Sequence, residues 1–138
     1  MLATLRKVIS FVNERRRQPR EETHFPARFV VLSPDGRTEL AEPRLGRVLN
    51  LSADGCCLAV ASLNLDRFHL TRCLESPEDY PLELVIQGPE GQRWRVRGCV
   101  RWTNREVQAA DLPFRVGLEW ITKGLPASCR SLLRQVKP

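Results

Sequence analysis

From Arg93 to Trp102 the chain alternates without a break. Trp94, Val96, Gly98, Val100 and Trp102 are separated by Arg93, Arg95, Arg97, Cys99 and Arg101. Successive side chains on an extended strand point to opposite faces, so this run predicts a β-strand with one core face and one face made mostly of arginine. The favoured reading of the arginine face is a solvated outer surface. The alternative is a basic stripe for an acidic protein, nucleic acid or lipid headgroups.

The same period recurs in shorter pieces punctuated by turn residues. Residues 25–32 predict a strand closed by Ser33, Pro34, Asp35 and Gly36, and residues 47–51 and 56–60 predict two more around Ser52, Ala53, Asp54 and Gly55. Residues 81–86 and 93–102 flank Gly88, Pro89, Glu90 and Gly91 as a hairpin, and residues 114–121 form the last strand. Residues 62–80 are ambiguous, a long loop with a helical turn near Leu65 to Cys73. Short strands with Gly/Pro turns at this spacing predict an antiparallel sandwich or small barrel of six or seven strands.

Both ends read as helix. Leu2, Leu5, Val8, Ile9 and Val12 recur at steps of three and four, an amphipathic pattern over residues 1–13. Pro19 argues against helix through Gln18. The helix is expected to pack on its own domain, with a homodimer contact or an adhesive face for a partner as the other readings. At the far end Pro126 suits a first helical turn, and Cys129, Leu132, Leu133 and Val136 then share a face, giving a second helix within residues 124–138. The 138 residues suffice for one domain, with its body at residues 14–123.

Charge and chemistry exclude several classes. Lys+Arg 22 against Asp+Glu 16 leaves a net charge of +6, and Lys7, Lys123 and Lys137 are the only lysines. Arginine's planar fork suits phosphate or carboxylate, so the balance favours an anionic partner. No apolar stretch approaches the roughly 18 residues of a membrane span, and Arg6 and Lys7 interrupt any secretory signal. Cys56, Cys57, Cys73, Cys99 and Cys129 cannot pair evenly, which points to a reduced, cytoplasmic protein. Neither His24 nor His69 has zinc-like spacing to a cysteine pair or a catalytic neighbourhood, and the glycines are dispersed at turns. An enzyme, a metal site and a resident cofactor are not expected.

Two short patterns go further. Arg16 and Arg20 are spaced RxxxR within an arginine cluster, and Asn50, Ser52 and Gly55 form N-x-S-x-x-G at a strand-to-strand connection. Alone, the second can be simply a turn, with Asn50 and Ser52 bonded to local backbone and Gly55 at positive φ. Together, in this order, they resemble the PilZ domain, over roughly Glu14 to Ile121. The segment ending in Val116, Gly117, Leu118, Glu119 and Trp120 adds to the likeness.

That resemblance implies a split β-barrel that binds cyclic di-GMP through the two motifs. Arg16 and Arg20 match the motif arginines, and Asn50, Ser52 and Gly55 match the second motif. Arg15 falls where the family binds an intercalated cyclic di-GMP dimer, and Arg17 would assist with phosphate. Trp102 falls where some members carry an aromatic at the mouth of the site; a barrel-end core tryptophan is an equal reading. Guanine O6 and N7, like phosphate, suit an arginine fork. Pro19, Glu21 and Glu22 depart from the pattern, but exposed Glu–Arg pairs are worth no more than about 1 kcal/mol.

The expected function is a cyclic di-GMP receptor. Ligand would order the Arg15 to Arg20 segment against the barrel and change a surface read by a downstream protein, in control of motility, pili, exopolysaccharide or a related process. The alternative is a PilZ-like interaction adaptor that does not bind nucleotide. Nucleic acid is disfavoured, because no recognition motif accompanies the charge.

Overall fold

A computed structural model describes residues 22–106 and 111–121, with Glu22 and Thr23 described in backbone alone. The helices expected within residues 1–13 and 124–138, and Arg15, Arg16, Arg17 and Arg20, lie outside the described residues.

Each period-two segment forms a strand. In chain order they are β1 (Glu22–Val31), β2 (Arg44–Leu51), β3 (Gly55–Val60), β4 (Leu82–Gln87), β5 (Arg93–Arg105) and β6 (Phe114–Trp120), with one helical turn, α1 (Arg72–Glu75), between β3 and β4. The strands close into an antiparallel barrel in the order β1-β2-β3-β6-β5-β4. Of the two architectures that short strands allow, closure selects the barrel, and it leaves no unpaired sheet edge.

The expected turns are in place. Gly36 takes φ 73 and donates its N–H to the Ser33 carbonyl at 2.8 Å. Gly91 takes φ 82, and Gly88 N–H donates to the Gln92 carbonyl at 2.8 Å, closing the β4–β5 hairpin. Inward residues of all six strands, among them Phe29, Val48, Leu58, Leu84, Val100 and Leu118, form one core.

The ambiguous stretch 62–80 belongs to that core. Leu65, Phe68, Leu70 and Cys73 join the same cluster, and the helical turn falls at Arg72–Glu75, later than the pattern implied. Phe68 and Tyr80 pack with their rings tilted by 59° and centroids 5.1 Å apart, and the Arg72 guanidinium lies 5.0 and 5.2 Å from the two ring centroids. Loops cannot bury this much apolar surface without anchoring residues, and here the anchors are Leu and Phe spaced too irregularly for a periodicity argument to see.

The register shifts at three places among the described strands, one of them between Glu22 and Phe25 on β1, and the two on β2 and β5 bear on the site. On β2, Val48 opposes Leu58 but the next pair is Asn50 with Cys57, so Leu49 is the extra residue. On β5, Val100 opposes Leu118 but the next pair is Trp102 with Gly117, so Arg101 is extra. A bulged residue shifts every later side chain to the opposite face. Trp102 is therefore on the outer face of the barrel, whereas its period predicts the core face it would share with Trp94, Val96 and Val100. Thr103, paired with Val116, takes the inward position instead.

Candidate functional site

The N-x-S-x-x-G segment is the β2–β3 connection, and its own residues build it. Ser52 N–H donates to the Gly55 carbonyl at 2.9 Å. Ser52 Oγ accepts from Asp54 N–H and Gly55 N–H, each at 3.3 Å. β6 straps the turn from the other side, with Trp120 N–H donating to the Asp54 carbonyl at 2.8 Å and Trp120 Nε1 donating to the Ser52 carbonyl at 3.1 Å. Trp120 is thus a positioning residue for the turn, a role no sequence pattern showed, because its partner is 68 residues away.

Gly55 is not at positive φ, contrary to the turn expectation; the described positive-φ glycines are Gly36 and Gly91. Its lack of a side chain serves the barrel wall instead. A Cβ there would stand 1.9 Å from the Leu118 carbonyl oxygen, so β3 and β6 can meet at this point only around a glycine.

Asn50 is left as the side chain of the motif with an open valence. Its Oδ1 is buried and has no hydrogen-bond partner among the described residues. A buried, unbonded amide oxygen costs free energy of about 1–3 kcal/mol, which a ligand donor could recover.

The two bulges put Asn50 and Trp102 on one surface. Directly paired residues share a face, and the register runs Asn50 to Cys57, Cys57 to Gly117 and Gly117 to Trp102 across β2, β3, β6 and β5. At ordinary strand spacing that row spans about 14 Å. Trp102 is 5% exposed but is not a member of the core cluster, so it is a covered outer-face tryptophan and not a barrel-end core residue.

The neighbouring row is Arg47, Ala59, Arg115 and Asn104. Together with Asn50, His24, Leu49, Leu112 and the acidic Asp111, the first three of these line a cavity of about 280 Å³. Ala59, almost wholly buried, is its floor and the two arginines flank it. Arg115 is held by the Leu112 carbonyl, 2.5 Å from Nη1. Sequence reading overlooked Arg47 and Arg115; the signal available was their outward phase on strands already recognised, three residues before Asn50 and two before Gly117. Among the described residues no group of three His, Cys, Asp or Glu side chains could hold a metal ion, and no helix is long and apolar enough to cross a membrane.

The PilZ domain model matches residues 14–137 of the chain. No curated protein matches it in sequence. Among solved structures it is similar to the Bacillus subtilis inhibitor of motility (MotI/DgrA), with a TM-score of 0.56 and 18% identity, over 87% of this chain and 49% of that one. The chain spans about half the length of that protein, and the likeness is one of fold.

Proposed function

The chain belongs to the PilZ domain family, and on that premise we propose that it is a regulatory receptor for cyclic di-GMP, binding the dinucleotide on the outer barrel face beside Asn50. PilZ domains are a cyclic di-GMP receptor family whose members act as binding modules. The observation that carries the reading to this chain is the buried, unpartnered Asn50 Oδ1 at the wall of an arginine-flanked cavity.

In this reading Asn50 offers its amide to a guanine or ribose-phosphate edge, and Arg47 and Arg115 offer forks to phosphate. Arg16 and Arg20 close over the ligand from the preceding segment, Arg17 adds charge, and Arg15 selects an intercalated dimer of the dinucleotide. Ser52 and Gly55 act through the turn, by setting the Asn50 backbone. Trp102 covers the far end of the row. Ordering of the Arg15 to Arg20 segment then alters the surface a partner protein reads, in the cytoplasm, in control of motility, pili or exopolysaccharide. No hydrolysis of the nucleotide is expected.

One observation favours a second reading, an adaptor that binds no nucleotide. Ser52 and Gly55 are fully employed in the turn and the barrel wall, so both would be retained for folding alone. Isothermal titration with cyclic di-GMP, with cyclic GMP and GTP as controls, separates the two. The receptor reading expects heat with cyclic di-GMP alone, about two ligands per chain, and a roughly ten- to hundredfold loss in Arg16→Ala, as befits one lost charged bond. Absence of heat, confirmed by an orthogonal assay, leaves the adaptor.

A further inference from the structure

Further round the barrel, across β1 and β4, lies a second basic surface of different make-up. In the closed ring β1 and β4 stand across from β6 and β3. On their outer face the register sets Leu45, Arg28, Val85 and Arg95 side by side over β2, β1, β4 and β5. With Arg93 and Pro26 these residues line a cavity of about 440 Å³, and among the described residues no carboxylate lines it.

Three arginines elsewhere on the described surface are neutralised, and those of this face are not. Arg44, Arg97 and Arg101 each hold a carboxylate at 2.8 to 2.9 Å. Arg28 and Arg93 have no acidic partner among the described residues, and Arg95 reaches Glu83 only at 3.5 Å with its side chain 71% exposed. Beside Arg28, at the start of β2, Leu45 is 78% exposed, the most exposed large apolar side chain described. Apolar and cationic positions thus alternate across the four strands. A polyanion such as nucleic acid needs a continuous cationic track and gains nothing from an exposed leucine. A partner strand cannot add to a closed barrel, so recognition falls to side chains.

We propose that this face docks an acidic protein segment carrying an apolar side chain. The apolar group covers Leu45 and Val85, and flanking carboxylates pair with Arg28, Arg93 and Arg95, whose forks suit carboxylate geometry. This cavity shares no lining residue with the Asn50 cavity, although the two abut where Pro26 pairs with Arg47, and the side chains this assignment uses are not those proposed to hold nucleotide.

The test is selection of a displayed random-peptide library on the full chain, followed by fluorescence anisotropy with the enriched peptides. The expected result is enrichment of sequences with two or more Asp/Glu around a Leu, Ile or Phe. Their affinity should fall more than about tenfold in Arg28→Glu/Arg95→Glu, where attraction becomes like-charge repulsion. It should also fall in Leu45→Ser, which keeps every charge. Both variants alter exposed side chains, and an unchanged circular dichroism spectrum and melting temperature verify the fold. No enrichment, enriched peptides without acidic residues, or peptides that bind both variants as well as the parent would overturn the proposal. So would a labelled duplex DNA that binds with steep salt dependence and is lost in the double variant while no peptide is; that outcome would reassign the face to nucleic acid.

Discussion

The indole of Trp102 occupies the space that a side chain at Gly117 would need. A Cβ built on Gly117 would stand 2.1 Å from both Cε2 and Nε1 of Trp102. The two residues are direct partners across β5 and β6, immediately after the Arg101 bulge. The glycine and the bulge therefore work together: one turns the tryptophan outward, and the other makes room for it on the barrel surface.

Gly117→Ala should accordingly displace the indole. Forcing one carbon into a filled site costs about 1–3 kcal/mol. Urea unfolding of the variant should show a lower midpoint with an unchanged slope, and tryptophan emission should shift as the buried ring moves. An unchanged midpoint and spectrum would show that Trp102 is not seated on Gly117.

Gly55→Ala should be worse, because the obstacle is main chain. The Leu118 carbonyl cannot swing aside without opening the β3–β6 ladder, so a loss of about 3 kcal/mol or more is expected. Ser52→Ala removes an acceptor shared by two N–H groups and should cost about 1–2 kcal/mol with the fold retained. Equilibrium denaturation of both variants checks the order. Loss of nucleotide binding in Gly55→Ala would report on the barrel and not on the ligand contacts.

Asn50→Ala separates stability from binding. Removing the amide abolishes an unbonded buried oxygen, so stability should stay within about 0.5 kcal/mol of the parent or rise. Affinity for cyclic di-GMP should fall about tenfold or more if the amide bonds the ligand. Thermal melts and titration calorimetry on the same preparation read the two effects. A destabilised variant with intact binding would make Asn50 a purely structural residue.

The Cys73 thiol is fully buried, and burial pushes its pKa up to about 12. Burial raises the Cys99 thiol as well, against the nearby Arg101 charge. Because the folded pKa of Cys73 lies above that of an unfolded thiol, its contribution to stability is complete below about pH 8.5. That contribution declines as pH rises through the window up to about 12. Site-resolved iodoacetamide labelling at pH 8 should leave Cys73 unmodified in the native protein and modify it on unfolding. The melting temperature should fall between pH 9 and pH 11, and Cys73→Ala should flatten that fall.

Much of the fold was legible in local patterns. Residues 25–32, 47–51, 56–60, 81–86, 93–102 and 114–121 each coincide with a strand, because alternation and turn residues are properties of a few neighbouring side chains. The N-x-S-x-x-G spacing located the turn, and Ser52 and Gly55 proved to be its framework. The roles of Trp120 and Arg115 at the site were not legible, since their relation to Ser52 and Asn50 exists only through strand pairing.

What the sequence by itself determined was the set of strands, the turns between them and the positions of the two motifs. Which face each side chain takes was decided only by tertiary structure. Alternation fixes phase within a strand, but a single extra residue at Leu49 or Arg101 reverses it, and nothing local marks those two residues as extra. Their bulging depends on which backbone groups β3 and β6 present to them, and it is this pairing that sets Asn50 and Trp102 on one outer face.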